Sequence, residues 1–178
     1  MEHPFFPTTT TRMEALQWLS IAEKLLLTRD LVGSKSFAKR ARDADPTLTP
    51  AEQILAITET IIAGECWIVN NHADWYAVLR LTPQQGQEAE LVSSQYRNLA
   101  LILNPQKNRY PLADEAFRLV VDAWAVLSNP SRKALFDKEL VFSQQQQQQP
   151  ATFSNPTQAM HQNFIFFGGG NSSGASHS

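Results

Sequence analysis

Apolar residues recur at three- and four-residue steps through most of the first 142 residues, which is the spacing of amphipathic helices. Prolines are frequent and internal glycines rare, so the chain divides into segments that can each be tested for this period. Up to residue 70 the pattern predicts three helices with short connections. Capping boxes at Thr11-x-x-Glu14 and Thr49-x-x-Glu52 are predicted to start the first and third, the latter with Pro50 in its first turn. The defining apolar positions are Leu16, Leu19, Ala22 and Leu26, then Phe37 and Ala41 between Ser34 and Asp45, then Ile54, Ile57 and Ile61.

A second group of helices follows. Asp74 is predicted to cap a short helix from Trp75 to Leu81, and Asn129-Pro130 to open a short last helix through Phe136. Between them the period predicts two long helices, Glu88 to Leu103 and Ala113 to Ser128. A compact loop at 104–108 joins these helices, so they are expected to pair antiparallel. Their core stripes are Val92, Tyr96, Leu99 and Leu103 on one, and Phe117, Val120, Trp124 and Leu127 on the other.

The composition changes after Phe142, where a glutamine run is followed by a segment rich in Ser, Asn, Gly and Gln. Such a segment cannot bury enough apolar surface to offset its chain entropy, so residues 143–178 are predicted to be disordered. Its apolar island, Phe164 to Phe167, is either a docking motif or an incidental patch. We therefore predict an all-α protein with a helical region at 1–70, a second helical domain at 71–142 and a tail at 143–178.

The net charge and the scarcity of cysteine and clustered histidine argue against nucleic-acid binding, disulfides and metal binding. Lys plus Arg is 15 and Asp plus Glu is 17, a formal net charge of -2, which argues against a general nucleic-acid binder. A basic cluster on the second helix is interpreted as a solvated face, because Asp43 and Asp45 follow it directly. The lone Cys66 excludes an intramolecular disulfide and is expected to be packed, and the scattered histidines predict no metal site. The basic cluster comprises Lys35, Lys39, Arg40 and Arg42.

Targeting signals are absent from the sequence pattern. Met1 to Thr11 has no basic patch followed by an apolar run, so no secretion signal is predicted there. The apolar stretch Ile54 to Val69 is interrupted by two glutamates and is too short to span a bilayer. The sequon at Asn171 is interpreted as a chance match. We expect a soluble protein of the cytoplasm or nucleus, with no membrane partner.

Residues 74 to 137 resemble a J domain, the DnaJ-like cochaperone module, in order and nearly at the family's spacing. The region before them resembles more loosely the N-terminal helical region of a plant J-protein family. The matching J-domain segments are Asp74-Trp75-Tyr76-x-x-Leu79, Tyr96-Arg97-x-Leu99-Ala100, Pro105-x-Lys107-Asn108, Ala116-Phe117, Ala123-Trp124-x-x-Leu127-Ser128 and Arg132-Lys133-x-x-Phe136-Asp137. The upstream matches are Glu14-Ala15, Ile21 to Leu25 and Gly33 to Ala38.

The resemblance implies two long antiparallel helices with a short helix on each side. It also implies stimulation of ATP hydrolysis by a heat-shock chaperone of the DnaK class. In the family that activity depends on a His-Pro-Asp tripeptide in the loop and on a cationic face of the preceding helix.

This chain departs from the family at both features. The tripeptide is Asn104-Pro105-Gln106, so the proline and the following Lys107 are retained while both ionisable side chains are lost. An aspartate at 106 would accept a charge-assisted bond from a partner arginine, whereas Gln106 offers only a neutral amide. The helix face has neutral residues where the family usually has basic ones, leaving Arg97 as its cation. The neutral positions are Ser93, Ser94 and Asn98, and the family's glycine in Leu-Gly-Val is Arg80.

These departures predict a J-like protein that folds but does not stimulate the chaperone in the usual way, and that serves as a protein-interaction module. Two alternatives stay open: a working cochaperone whose upstream helices supply the missing binding, and a competitor that occupies the chaperone without activating it. Any DnaK-class partner is expected to be bound weakly, and the other partner is unknown. No enzyme motif is present, so neither catalysis nor a cofactor is expected.

Overall fold

The computed structural model describes residues 8–68 and 72–148. These residues form seven α-helices and one very short β-hairpin, which confirms the predicted all-α class. The helices are α1 (Thr9–Leu27), α2 (Leu31–Ala44), α3 (Thr49–Glu65), α4 (Trp75–Val78), α5 (Ala89–Leu103), α6 (Ala113–Leu127) and α7 (Pro130–Gln147). The hairpin pairs β1 (Trp67–Ile68) with β2 (His72–Ala73) antiparallel, and a 3-10 turn spans Gln85–Gln87.

The first three helices form the predicted N-terminal helical region. Their buried residues fall at helical spacing, as with Ala15, Leu19, Ala22 and Leu26 of α1, so that each helix turns one apolar stripe inward. Neither predicted capping box forms. Thr8 caps α1 by accepting a bond from the Thr11 amide, and Leu48 precedes α3 with no side-chain cap. The local pattern identified the helices but placed their starts slightly late.

Helices α5 and α6 pack as an antiparallel pair, as predicted. Tyr96 lies in the second half of α5 and stacks on Trp124 of α6, with ring centroids 4.7 Å apart. Val92, Leu99 and Leu103 of α5 are buried, as are Val120 and Leu127 of α6. The aromatic members of both predicted stripes are only partly buried, because they line the edge of the helix pair.

The last helix is longer than predicted. We expected a short helix ending near Phe136 and a disordered tail from residue 143, but α7 continues to Gln147. Phe136, Leu140 and Ser143 are buried at helical spacing, and no proline or glycine interrupts the segment. The start of the predicted tail is therefore helical, whereas residues 149–178, including the Phe164–Phe167 island, lie outside the described residues.

The described residues up to Gln144 form one compact unit. A single hydrophobic core draws buried side chains from α1 through α7, so the N-terminal helices and the helix pair share one interior. Helix α3 contributes most to this sharing, since Ile54, Leu55, Ile57 and Ile61 are almost completely buried. Cys66 is exposed rather than packed as expected, because α3 ends at Glu65 and Cys66 is its C-cap.

Candidate functional site

The loop between α5 and α6 closes tightly on Asn104. The backbone carbonyl of Asn104 accepts bonds from the amides of Lys107 (2.9 Å) and Asn108 (2.8 Å). Its side-chain Oδ1 accepts a third bond from the Gln106 amide at 3.0 Å. Asparagine is well suited to this position, because its short amide can bond to the backbone two residues on. The loop is thus compact although the tripeptide lacks both of the family's ionisable residues.

Asn108 anchors the loop from inside. Its side chain is almost fully buried, donates through Nδ2 to the Ile102 carbonyl at 3.1 Å and accepts at Oδ1 from the Tyr110 amide at 3.2 Å. Asn108 belongs to the matching segment Pro105-x-Lys107-Asn108, but its residue type alone predicts no role for it. Its position in a turn, as a short polar residue, was the available signal.

The tip of the loop presents neutral and cationic groups. Gln106 and Lys107 are exposed, and Asn104 and Pro105 are partly exposed. Gln106 can donate and accept through a neutral amide, and Lys107 can only donate. The loop therefore offers no carboxylate to a cationic group on a partner.

The outer face of α5 carries the other predicted site residues. Arg97 and Asn98 are exposed, and Ser93 and Ser94 are half-exposed. At 100° per residue, Ser94, Arg97 and Leu101 lie roughly opposite the buried stripe of α5. Leu101 is 61% exposed, and Glu90 is exposed on the same side, so this face has one cation, one carboxylate and one exposed apolar side chain among neutral residues. The structure places the predicted residues on one helix face and in the loop that follows it.

A hydrogen bond joins the loop to α1. Tyr110, two residues after Asn108, donates its hydroxyl to Glu23 Oε1 at 2.6 Å. Burial of the ring, together with this bond to a carboxylate, raises the pKa of Tyr110 well above its ordinary value. The two residues are far apart in the sequence, and no local signal could have indicated their pairing.

An ion pair joins the turn after α1 to the start of α6. Arg29 binds both carboxylate oxygens of Glu115, at 2.8 and 2.9 Å, and also reaches Glu65 at 3.2 Å. The bond from Arg29 lowers the pKa of Glu115, although partial burial opposes the shift. The loop is therefore flanked by two polar links to the N-terminal helices.

Arg80 adopts a left-handed backbone conformation, with φ of 58°. It stands where the family has glycine, the residue that tolerates this conformation best. Its guanidinium binds Glu52 at 3.1 Å and Glu59 at 2.8 Å, both on α3. Arg80 therefore forms a third polar link between the N-terminal helices and the part of the chain that follows them.

Helix α7 is fixed to α4 by polar contacts. Asp74 caps α4 through a bond from the Ala77 amide, as predicted. The Tyr76 hydroxyl donates to Asp137 at 2.5 Å, Lys133 binds the other carboxylate oxygen at 3.0 Å, and the Tyr76 ring packs on Phe136. Lys133 thus has a bonding role within the scaffold.

The described residues contain neither a metal-binding cluster nor a membrane-spanning helix. Within 8–68 and 72–148, no group of three His, Cys, Asp or Glu side chains could hold a metal ion. No helix in the same ranges has the length and apolar composition needed to cross a membrane.

The helix pair with a short connecting loop is consistent with an all-α J domain, and comparison with known proteins identifies this family. The DnaJ domain family model matches residues 74–137. The chain is 33% identical to mouse DnaJ homolog subfamily B member 14 over 158 residues, covering 82% of this chain and 40% of the relative. It is 34% identical to the human protein of that name over 122 residues, covering 62% and 30%. No solved structure gives a significant match.

A third relative, human DnaJ homolog subfamily B member 12, is 35% identical over 88 residues, covering 49% of this chain and 20% of the relative. The chain thus spans well under half the length of these curated relatives. Residues 74–137 are a DnaJ domain, and the homologues of this J-domain protein are DnaJ subfamily B proteins.

Proposed function

We propose that this protein is a degenerate cochaperone: it retains the J-domain scaffold and binds other proteins, but does not stimulate a DnaK-class ATPase in the usual way. The observation that carries the proposal is the loop at 104–108. Its backbone closes on Asn104 and its interior is held by Asn108, yet its tip presents a neutral Gln106. The loop is thus compact, but Gln106 stands where the family has an aspartate that would contact the chaperone.

The energetic consequence follows from the lost charge. Removing one member of a buried interfacial charge pair costs about 2–5 kcal/mol. At about 1.4 kcal/mol per factor of ten, the lower figure corresponds to a loss of roughly thirtyfold in affinity. The outer face of α5 carries little positive charge, so it should also associate more slowly with an acidic chaperone surface, because electrostatic steering requires complementary charge.

A working cochaperone is the second candidate, favoured by the preserved loop geometry and by exposed Lys107. J domains generally act on chaperones of the DnaK class, and in this alternative the upstream helices α1 to α3 supply binding that the loop lacks. A competitor that binds without stimulating is a third outcome of the same experiment.

Single-turnover ATP hydrolysis by a purified DnaK-class chaperone tests the proposal. The wild-type protein is compared with Asn104→His plus Gln106→Asp, and with that variant carrying Lys at Ser93, Ser94 and Asn98. We expect no stimulation by wild type and a stepwise gain in the two variants. A matched control adds three lysines on exposed positions of α6 and α7 to the restored loop; these are Val121, Ala125 and Ser131.

Stimulation by the wild-type protein would overturn the proposal in favour of the working cochaperone. Silence of all variants would also contradict it, because restoring the charges should restore a face that the scaffold still supports. If the control lysines gain as much as those on α5, general charge rather than the α5 face is responsible. Chaperone binding without stimulation identifies the competitor.

A further inference from the structure

We infer that the loop and the neighbouring face of α1 form one binding surface for an acidic amphipathic helix of a partner protein. This inference rests on the proposed function, because it assigns partner chemistry to the interaction module. The surface, termed here the loop–α1 surface, consists of Leu16, Lys24, Leu27, Lys107 and Arg109, all of which are exposed.

The bond between Glu23 and Tyr110 brings the two parts of this surface together. Its oxygen–oxygen distance is 2.6 Å, and both side chains are partly buried. Lys24 is the sequence neighbour of Glu23, and Arg109 is the sequence neighbour of Tyr110. A cation of α1 and a cation of the loop thus directly adjoin, in sequence, the two residues that hold α1 against the loop.

The same contact identifies which face of α1 borders the loop. At 100° per residue, Leu16 and Leu27 lie within about 40° of Glu23 around the helix axis, roughly 10 Å and 6 Å along it. Leu16 is 47% exposed and Leu27 is 71% exposed. Helix α1 thus presents two leucines beside the loop, at a separation that an apolar stripe of another helix can match.

The charge on this surface is net positive. Lys24, Lys107 and Arg109 form no ion pair within the described ranges. Glu23 keeps its negative charge, because its partner is the neutral hydroxyl of Tyr110, whereas Asp114 pairs with Arg118 and Glu115 shares Arg29 with Glu65. Glu14 is nine residues from Glu23 and so lies on the opposite side of α1.

An acidic amphipathic helix complements both features, since its apolar stripe can cover the two leucines while its carboxylates face the three cations. Nucleic acid is disfavoured, because three cations in a chain of net charge -2 would displace few counterions and the leucines would have no counterpart.

Fluorescence anisotropy with a labelled synthetic peptide tests this surface. The probe is a 16-residue helical peptide with Leu at i, i+3, i+4 and i+7 and Glu elsewhere, and the matched peptide has Gln in place of Glu. We expect saturable binding of the Glu peptide, weakened at least tenfold by Lys107→Glu plus Arg109→Glu and several-fold by Leu16→Ser plus Leu27→Ser. The Gln peptide should bind at least tenfold more weakly.

Two control variants carry the same chemical changes elsewhere. Lys39→Glu plus Lys138→Glu reverses two other cations, and Leu135→Ser plus Val141→Ser removes two exposed apolar side chains of α7. All substituted residues are exposed, and circular dichroism verifies that each variant folds. Both controls should bind the Glu peptide as wild type does.

Absence of saturable binding, equal binding of the two peptides, or equal weakening by the controls would overturn the inference. Tighter binding of a single-stranded RNA 20-mer than of the Glu peptide would also overturn it, by assigning the cations to nucleic acid. The ATPase experiment distinguishes the two proposals. If wild type stimulates the ATPase, the proposed function is wrong, but the peptide-binding result still holds. If the peptide does not bind and the ATPase is not stimulated, only the inference about the loop–α1 surface is wrong.

Discussion

Arg80 combines an unfavourable backbone conformation with favourable side-chain contacts. A non-glycine residue in the left-handed region costs about 1–2 kcal/mol. The side chain offsets this cost by binding Glu52 and Glu59, and it is only 29% exposed, so these ion pairs are less screened than surface pairs. Arg80 therefore has a strained backbone, and its side chain offsets that strain by bonding to α3.

Replacing Arg80 separates these two effects. Arg80→Ala loses the ion pairs and keeps the strained backbone, whereas Arg80→Gly loses the pairs and relieves the strain. We expect Arg80→Ala to lower the free energy of unfolding by about 1–2 kcal/mol, with Arg80→Gly intermediate between it and wild type. Urea unfolding measures both, with exposed Arg118→Ala as control. If Arg80→Ala is as stable as Arg80→Gly, or more stable, the backbone at position 80 is not strained and this account is wrong.

Asn108 should control the order of the loop. Asn108→Ala removes the bonds to Ile102 and Tyr110 and leaves two partly buried backbone groups without these partners, at a cost of about 1–3 kcal/mol. Hydrogen exchange should show faster exchange at the amides of residues 104–110 than in wild type. Lys107→Ala, which changes an exposed neighbour, serves as control. Unchanged exchange in the Asn108 variant would mean that the backbone bonds to Asn104 hold the loop unaided.

At the scale of elements, the turn before α5 packs directly against α4. A Cβ built on Gly86 would collide with the ring of Tyr76, which is itself fixed by Asp137 and Phe136. Gly86→Ala should therefore destabilise the protein by about 1–3 kcal/mol, because the ring cannot move aside. Thermal unfolding measures the change.

Gly64→Ala is the matched control for that prediction. Its added Cβ would meet the end of the Leu119 side chain, at 2.7 Å from Cδ1, and a flexible side chain can rotate away. The two glycine variants should differ clearly in melting temperature. Similar losses would indicate that any added methyl group is costly in this core, rather than that the fixed Tyr76 ring sets the cost at Gly86.

The ion pair between Arg29 and Glu115 links the turn after α1 to α6 and should make stability depend on pH. Because the folded-state pKa of Glu115 is lowered from 4.5, its contribution is fully present above that value and is lost as the pH falls through the folded-state pKa. Glu115→Gln should cost up to about 1 kcal/mol at neutral pH, as for an exposed pair. The difference from wild type should shrink below pH 4.5.

Urea unfolding between pH 3 and pH 7 measures this dependence. Glu90→Gln, which changes an exposed carboxylate without an ion pair in the described residues, should show no comparable change across the range. A wild-type advantage over Glu115→Gln that stays constant down to pH 3 would show that the packing of Glu115, not its charge, is responsible.

At the scale of the molecule, the DnaJ domain shares its interior with three helices outside the family match. Helix α3 buries Ile54, Ile57 and Ile61 against this common core, and each such side chain contributes about 1.5–3 kcal/mol. We expect residues 72–148 alone to melt at a lower temperature than residues 8–148 and to bind more of the apolar dye ANS. Equal melting temperatures would show two independently stable units.

The sequence by itself determined most of the helices, because each carries its own 3.6-residue apolar period and proline boundaries. It also indicated the J domain at residues 74–137 and identified neutral side chains at Gln106, Ser93, Ser94 and Asn98, since these depend on residue identity. The sequence pattern mispredicted the end of a helix where contacts with residues distant in the chain stabilise it. Helix α7 continues into the glutamine run, where glutamine tolerates helix and the buried Phe136, Leu140 and Ser143 lie on one stripe.

Only the tertiary structure decided how the N-terminal helices meet the loop. Glu23 with Tyr110, Arg29 with Glu115, and Arg80 with Glu59 join residues that are distant in the chain, so no periodicity or motif could pair them. The left-handed backbone of Arg80 and the burial of Asn108 likewise depend on surrounding groups. The physical reason is that hydrophobic periodicity specifies which face of a helix is buried, whereas polar contacts between elements require the relative positions that only packing defines.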